Sequence, residues 1–329
     1  MKAGILLAPH KIEIQDIAAP CINADQVMIQ STCAGVCGSD VSLYIGHRTA
    51  QYPLLLGHEV AGRVSGLGKD VLKFSVGQRV VVEPNYPCGV CPLCRAGRGN
   101  ICPNKKSPGV TVPGCFAEMF AAPAEFVWAV PDSISDADAV TLEPLAVSLH
   151  ALWQSGAQMG DTVAVLGCGA TGLLLVHAAV MQGVRVFALD KLPEKMELAR
   201  RLGAEIVTAN DVEKLWRDEN VTTIFDCAGV SATVELALST APRGSQVVLL
   251  GLSTSPASLV PLRLVRGEIR VSGSIIYNHP SDFSRAIALV ARGILHPSRV
   301  ITDTLPFGSL DRALQLASTG QSGKVLLQM

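Results

Sequence analysis

The stretch TVAVLGCGATGLLLVHAAVMQGVRVFALD, Thr162–Asp190, decides the fold. It opens with an apolar, β-branched run that reads as a buried strand and passes through Gly167, Cys168, Gly169, Ala170, Thr171 and Gly172. It continues as an apolar helical segment and closes on a second strand, VRVFALD. A G-x-G-x-x-G sequence by itself is weak, but between the strand and helix of one βαβ unit it has a mechanism. Gly167 permits the tight turn, Gly169 lets the backbone approach a pyrophosphate, and Gly172 lets the helix pack closely on the strand. The start of the helix adds free N–H groups and the positive end of its dipole. Asp190 follows Gly172 by eighteen residues, close to where a carboxylate hydrogen-bonds both ribose hydroxyls. Its charge repels a 2′-phosphate, so NAD is preferred to NADP, although the adjoining Lys191 softens that preference. Ala170 and Thr171 in the turn and Lys195 in the following helix are assigned to the same cofactor. Thr162 to Val184 carries no formal charge and is long enough for a membrane span. Its glycine-rich turn would expose backbone to lipid, however, so strand, turn and buried helix is the preferred reading.

Outward from this unit, strands and helices alternate between Asp161 and about Ile275: EIVTA, TTIFDCAG, QVVLLG and IRVSGSI with PEKMELARRLG and SATVELALSTA. Such alternation predicts a parallel, doubly wound sheet with helices on both faces. Ligands bind at the carboxyl ends of such strands, which brings Cys227, Gly229 and Gly251 near a nicotinamide; ordinary strand-end turns are the alternative. The region up to Phe126 differs, with short strands such as QVMIQSTCAG, HEVAGRVSGLG and QRVVVEP punctuated by Gly and Pro, as in a compact β-rich domain. DADAVTLEPLAVSLHALWQSG reads as a helix interrupted at Pro144. The last fifty residues or so add two helices and a final strand, KVLLQM.

Composition narrows the class further. With 27 basic and 28 acidic side chains among 329 residues, nothing favours a phosphate backbone or an anionic membrane as partner. The N-terminus reads as a first strand without a signal-peptide cleavage pattern, so a cytoplasmic protein is expected.

PCGVCPLCRAGRGNIC, Pro87–Cys102, concentrates four of the ten cysteines, Cys88, Cys91, Cys94 and Cys102. Clustered cysteines in an enzyme-like chain favour metal or catalysis over a disulfide framework. Two-residue gaps fold successive thiolates onto one ion, and four thiolates close a tetrahedral zinc shell, a structural site. An iron–sulfur cluster uses similar spacing and remains a rival. A second constellation is dispersed: Cys37 in CAGVCGSD, His58 and Glu59 in LLLGHEVAG, and Glu143 in LEPLAV. A Cys, a His and a carboxylate hold zinc while leaving a position for an alcohol oxygen, which catalysis needs.

Together these residues resemble the medium-chain zinc-dependent alcohol dehydrogenase family, in its polyol (sorbitol) and threonine dehydrogenase branch. GHEVAGRVSGLGKDV, Gly57–Val71, reads as that family's zinc signature, and the four-cysteine lobe and GCGATG follow in its order. The resemblance covers essentially the whole chain. It implies an α/β protein with a GroES-like catalytic domain, residues 1–146 and 277–329, carrying a structural zinc lobe at 88–102 and split around a Rossmann domain, residues 147–276. It also implies Cys37 and His58 as ligands of a catalytic zinc, Glu59 as an alternative or outer ligand, and Glu143 where ordinary alcohol dehydrogenases place a cysteine. Asp40 matches the residue that orients the zinc-binding histidine. Two zinc ions per chain, NAD, and a homodimer or homotetramer are expected.

The implied reaction oxidises a secondary alcohol or polyol to a ketone with hydride transfer to NAD, with Ser39 relaying the hydroxyl proton. Ser42 stands where many alcohol dehydrogenases carry a proton-relaying histidine, which moves proton exit toward water near Glu59 or Glu143. Tyr277 matches the tyrosine of a substrate-binding Arg-Tyr pair, but Ile276 replaces the arginine, which puts sorbitol itself in doubt. The alternatives are a threonine- or sugar-phosphate-type dehydrogenase, toward which Arg48 points, and an NAD-binding redox or zinc sensor without turnover.

Overall fold

The computed structural model describes all of Met1–Met329. The chain forms two compact units, one of Met1–Glu143 with Asn278–Met329 and one of Pro144–Tyr277.

The first unit opens with a hairpin of β1 (Lys2–Ala8) and β2 (Lys11–Asp16), in which Leu6 pairs with Ile12. β3 (Gln26–Val36) follows, and Val27, Ile29, Ser31 and Cys33 alternate toward the interior with the period of two that a pleated strand imposes. Helix α1 (Gly38–Tyr44) starts directly beyond β3. The two-residue β4 (Leu54–Leu55) extends the β1 sheet. β5 (Glu59–Leu67) and β6 (Arg79–Val82) pair antiparallel beside β3. The one-turn α2 (Pro92–Arg95), β7 (Met119–Pro123), β8 (Val127–Ala129) and α3 (Asp136–Val140) complete this segment.

The helical region expected to break at Pro144 breaks earlier. α3 ends at its cap Thr141, and α4 (Leu142–Ser155) carries Pro144 in its first turn. The first N–H groups of a helix have no intrahelical acceptor, so a proline there removes nothing.

In the second unit β9 (Thr162–Leu166), α5 (Ala170–Met181), β10 (Arg185–Leu189), α6 (Pro193–Arg201), β11 (Glu205–Ile206), α7 (Val212–Asp218), β12 (Val221–Asp226), α8 (Ser231–Thr240), β13 (Gln246–Leu249), α9 (Pro261–Gly267) and β14 (Arg270–Gly273) alternate. The strands form a parallel sheet in the order β11-β10-β9-β12-β13-β14. Val163–Leu166 and Leu173–Val176 are wholly buried, which explains why strand and helix both read as unbroken apolar runs. The chain leaves β9 toward β10 and later returns to β12 on the other side, so a crevice opens at the carboxyl ends of β9 and β12. α5 spans twelve residues, and no helix is long and apolar enough to cross a membrane.

The chain then re-enters the first unit through α10 (Ser281–Ala291), β15 (Ile301–Pro306), α11 (Leu310–Ser318) and β16 (Lys324–Gln328). β16 pairs antiparallel with β3, Val325 opposite Val36, and completes a sheet ordered β15-β16-β3-β5-β6-β8, with β7 also on β3. Leu6, Ile29, Val60, Phe116, Leu310 and Val325 are among its core residues.

Candidate active site and metal centres

In the second unit the turn after β9 is shaped by contacts a side chain would forbid. Gly167 has φ +94° and a Cβ there would lie 2.6 Å from the Ala228 amide nitrogen, while one on Gly172 would lie 1.9 Å from the Gly167 carbonyl oxygen. A Cβ on Gly169 would meet nothing within 4 Å. This residue is the N-cap of α5, which has no side-chain cap, so the amides of the first turn, at Ala170 and Thr171, are left for an anion. The Asp190 carboxylate ties the two βα turns together: Oδ2 accepts from the Cys168 amide at 2.7 Å and Oδ1 from the Leu192 amide at 3.0 Å. Each oxygen retains a further lone pair for a ribose hydroxyl. Lys195, buried in α6, lies within electrostatic range of Asp190 and Cys168, and burial lowers its pKa.

At the ends of β12 and β13, Cys227 follows Asp226, and the backbones of Gly229 and Gly251 touch, with a Cβ on Gly251 falling 2.1 Å from the Gly229 nitrogen. Asp226, which the sequence reading passed over, organises this turn. It is fully buried, its Oδ2 accepts from the Gly229 amide at 3.2 Å, and its carbonyl accepts from Leu250 and Gly251. The segment FDCAG gives no signal that its aspartate is buried. Tyr277 closes this unit with a side chain 2% exposed.

The cysteine lobe belongs to the first unit. The Sγ atoms of Cys88, Cys91, Cys94 and Cys102 all lie within 4.8 Å of one another, with pairs at 3.4, 3.9 and 4.0 Å. Four thiolates about 2.3 Å from one zinc ion stand roughly 3.8 Å apart along the tetrahedron's edges, so the sulfurs fit a single ion. All ten cysteines are free thiols. Pro92 opens α2 with Cys91 as its N-cap, and the Cys94 amide donates to Cys91 Sγ at 3.4 Å. Backbone amides of Val90 and Cys91 lower the Cys88 pKa to about 6, whereas burial and the neighbouring sulfurs push Cys94 up to about 12. A cation among the four would favour their thiolate forms together.

The second cluster assembles where β3 ends and β5 begins. Ligand atoms of Cys37, His58 and Glu59 lie within 4.8 Å of one another. Cys37 caps α1, and Asp40, fully buried in its first turn, accepts from the Cys37 amide at 2.9 Å and from the Gly57 amide at 3.1 Å. Asp40 thus ties the Cys37 turn to the chain just before His58. Its Oδ1 stands 3.5 Å from His58 Nδ1, an electrostatic contact longer than a hydrogen bond. Burial would lower the His58 pKa, but Asp40 and Cys37 outweigh it and raise the net value. Ser39 is half-buried in the same turn. Glu143, 5% exposed in the first turn of α4, lies outside the 4.8 Å cluster, within electrostatic range of Lys105 and Lys324. Lys324 is a second residue the sequence reading passed over: 2% exposed at the start of β16, it is ion-paired with Glu59, itself 0% exposed. Cavity size does not mark this chemistry. A groove of about 890 Å³ in the same unit is lined by Ile17, Leu55, Tyr86, Cys88 and Phe126 and by none of the three clustered residues.

Residues 23–132 match the alcohol dehydrogenase GroES-like domain, and residues 170–292 match the zinc-binding dehydrogenase domain. The chain is 31% identical to sorbitol dehydrogenase of Bacillus subtilis (strain 168), over 96% of this chain and 94% of that one. Among solved structures it resembles galactitol-1-phosphate dehydrogenase of Escherichia coli, at TM-score 0.94 and 29% identity over 100% of both chains. It also resembles an alcohol dehydrogenase of Escherichia coli CFT073 complexed with NADH, at TM-score 0.93 and 28% identity over 100% of this chain and 99% of that one. A GroES-like domain and a Rossmann sheet in one chain, a zinc signature followed by a four-thiol lobe, and identity sustained over nearly the whole length place this α/β oxidoreductase in the zinc-dependent medium-chain alcohol dehydrogenase family, on the branch with polyol and threonine dehydrogenases.

Proposed function

We propose that this chain oxidises a secondary alcohol or polyol to a ketone with NAD, using one catalytic and one structural zinc. The observation that carries the assignment of Cys37 and His58 is their convergence with Glu59 in a cluster separate from the four-thiol lobe; Glu143, outside that cluster, is assigned by the resemblance. Cys37, His58 and Glu143 would hold the catalytic ion, with Glu59 close behind, and Cys88, Cys91, Cys94 and Cys102 the structural one. Bound zinc supplies Lewis acidity at the substrate hydroxyl, and bound NAD accepts the hydride.

The chain's own residues do the remaining work. Asp40 fixes the Cys37 turn by accepting two amides, so the thiolate and the imidazole keep their spacing without a moving part. Ser39 passes the hydroxyl proton outward as a relay rather than a sink, since a serine is no base unaided. Gly169 and the first amides of α5 take the pyrophosphate and Asp190 the ribose, with Lys195 alongside. Cys227, Gly229 and Gly251 edge the nicotinamide, and Tyr277 contributes to the substrate side. The GroES-like part then corresponds to residues 1–146 and 277–329 and the cofactor part to 147–276.

One observation favours a second reading of the substrate. Lys105 carries a pKa lowered by burial and, less strongly, by the nearby Arg48, while Cys102 and Glu143 raise it, so two cations stand close enough to feel each other and would welcome a phosphorylated alcohol. The solved galactitol-1-phosphate dehydrogenase acts on such a compound.

NADH formation across secondary alcohols, polyols, threonine and phosphorylated alditols, before and after chelation and zinc add-back, tests both readings. Zinc-restored turnover on one class is expected. Cys37→Ser should lower zinc from two ions to one and abolish turnover while leaving the lobe loaded. Iron in place of zinc, or full activity in Cys37→Ser, would overturn the assignment.

A further inference from the structure

Glu59 and Lys324 form an ion pair buried to 0% and 2% exposure, 265 residues apart in sequence, with Glu59 clustered beside Cys37 and His58. Lysine is almost never buried this deeply without a partner, and taking two charges out of water is costly. The fold makes room for it. Gly35 on β3 lies against the pair, and a Cβ there would fall 2.0 Å from Glu59 Oε2 and 3.1 Å from Lys324 Cε. β16 delivers the lysine by pairing with β3 in a register that sets Val325 opposite Val36. Glu59 Oε1 accepts the ammonium's hydrogen bond, whereas Oε2 is in ion-pair contact but accepts no hydrogen bond of its own.

That leaves a carboxylate whose oxygen lies within 4.8 Å of the Cys37 and His58 ligand atoms, and a cation set to hold it. Zinc held by Cys37, His58 and Glu143 would have its charge balanced by two anionic ligands, and one position would be left for substrate. A fourth protein ligand from Glu59 would fill that position and give the site a net negative charge, which weakens its pull on a hydroxyl oxygen. We propose that Lys324 is a positioning residue that keeps Glu59 out of the inner ligand set, so that the open coordination position stays open. The cation acts by holding the carboxylate and cancelling its charge, and it touches neither substrate nor cofactor.

This inference rests on the zinc assignment above, and the test separates the two. Wild type, Lys324→Met, Lys324→Arg, Glu59→Gln and the double variant Lys324→Met/Glu59→Gln are compared for release of the catalytic zinc to a chelator, for the visible absorption of cobalt substituted at that site, and for kcat and KM. In Lys324→Met the freed carboxylate closes the shell, so zinc release slows and kcat falls by roughly 10- to 100-fold, the range of activity loss typical for partners of metal ligands. KM changes less, and the cobalt bands shift. Lys324→Arg keeps the charge and stays near wild type. On the Glu59→Gln background the lysine has nothing to hold, so adding Lys324→Met should leave zinc release and kcat equal to those of Glu59→Gln alone, a comparison that stands even if Lys324→Met alone does not fold. Unchanged zinc release in Lys324→Met, or a further loss in the double variant, would overturn the proposal. A wild type that binds no zinc at Cys37 and His58 would instead overturn the zinc assignment.

Discussion

In the proposed cofactor site Asp190 would set the cofactor choice through two oxygens that also hold the fold. Because each already accepts one backbone amide, the carboxylate would be oriented before any ribose arrives, and its charge would oppose a 2′-phosphate there. Asp190→Ser removes the repulsion while leaving a hydroxyl near the Cys168 amide. The kcat/KM ratio of NADP to NAD should rise by roughly tenfold, equivalent to about 1.4 kcal/mol, alongside some loss of stability from the released amides. Steady-state kinetics with the two cofactors reads this out, and an unchanged ratio would remove Asp190 from ribose recognition.

Among the elements of the first unit, β6, β8 and the approach to α10 share one buried carboxylate. Glu83, beyond β6 and 0% exposed, accepts through Oε2 from Trp128 Nε1 on β8 and meets His279 Nδ1, both at 2.9 Å. Burial would lower the His279 pKa and Lys73 works in the same direction, but Glu83 and, more weakly, Glu125 raise it above the ordinary 6.5. A folded pKa above the unfolded one gives stability that is present in full below pH 6.5 and is lost as pH rises through the folded value. The urea midpoint of wild type should therefore fall across the range above pH 6.5 relative to that of His279→Leu, whose profile lacks this component. Below it the substitution should cost about 1.5 to 3 kcal/mol, the range for a hydrogen bond to a charged group. Parallel profiles for the two proteins would refute the linkage.

None of this Glu83 network was legible in EPNY or YNHP, whereas strands with strong alternation and helices with long apolar faces were. The difference is one of range. The turn Gly167–Gly172 announces itself because its strand, glycines and helix are contiguous, and the cysteine lobe because its ligands fall within fifteen residues. Cys37, His58 and Glu143 needed a resemblance to link them, being scattered along the chain. The short α1 and α7 and the half-exposed β15 escaped pattern reading because seven polar or mixed residues, or a strand burying only part of one face, leave little periodicity. Lys324 escaped for a deeper reason. At the head of KVLLQM it reads as a solvated strand end, and only the register of β16 against β3 reveals that its ammonium is sealed against Glu59.

At the scale of the whole molecule, the parallel sheet ends at β14, whose outer edge has no strand partner. β14 pairs with β13 on one side only, and Val271 on it is 43% exposed; in α9, just before it in the sequence, Leu262 and Val265 are 58% and 76% exposed. An open strand edge with apolar neighbours invites pairing with another chain, and proteins that remain monomers blunt such edges with charge, proline or a bulge. Arg270 is the one charged residue of β14, and the strand has no proline. The resemblance to the family implies a homodimer or homotetramer, and joining two copies across this edge in an isologous contact would place each Val271 near its own symmetry mate. Val265→Asp/Val271→Asp sets like charges against each other there. Sedimentation velocity should then show wild type at a multiple of the single-chain mass and the double variant at the mass of one chain, with zinc content unchanged because all the assigned zinc ligands lie in the other unit. A wild type that sediments as one chain, or a variant that keeps its partner, would move the contact away from β14.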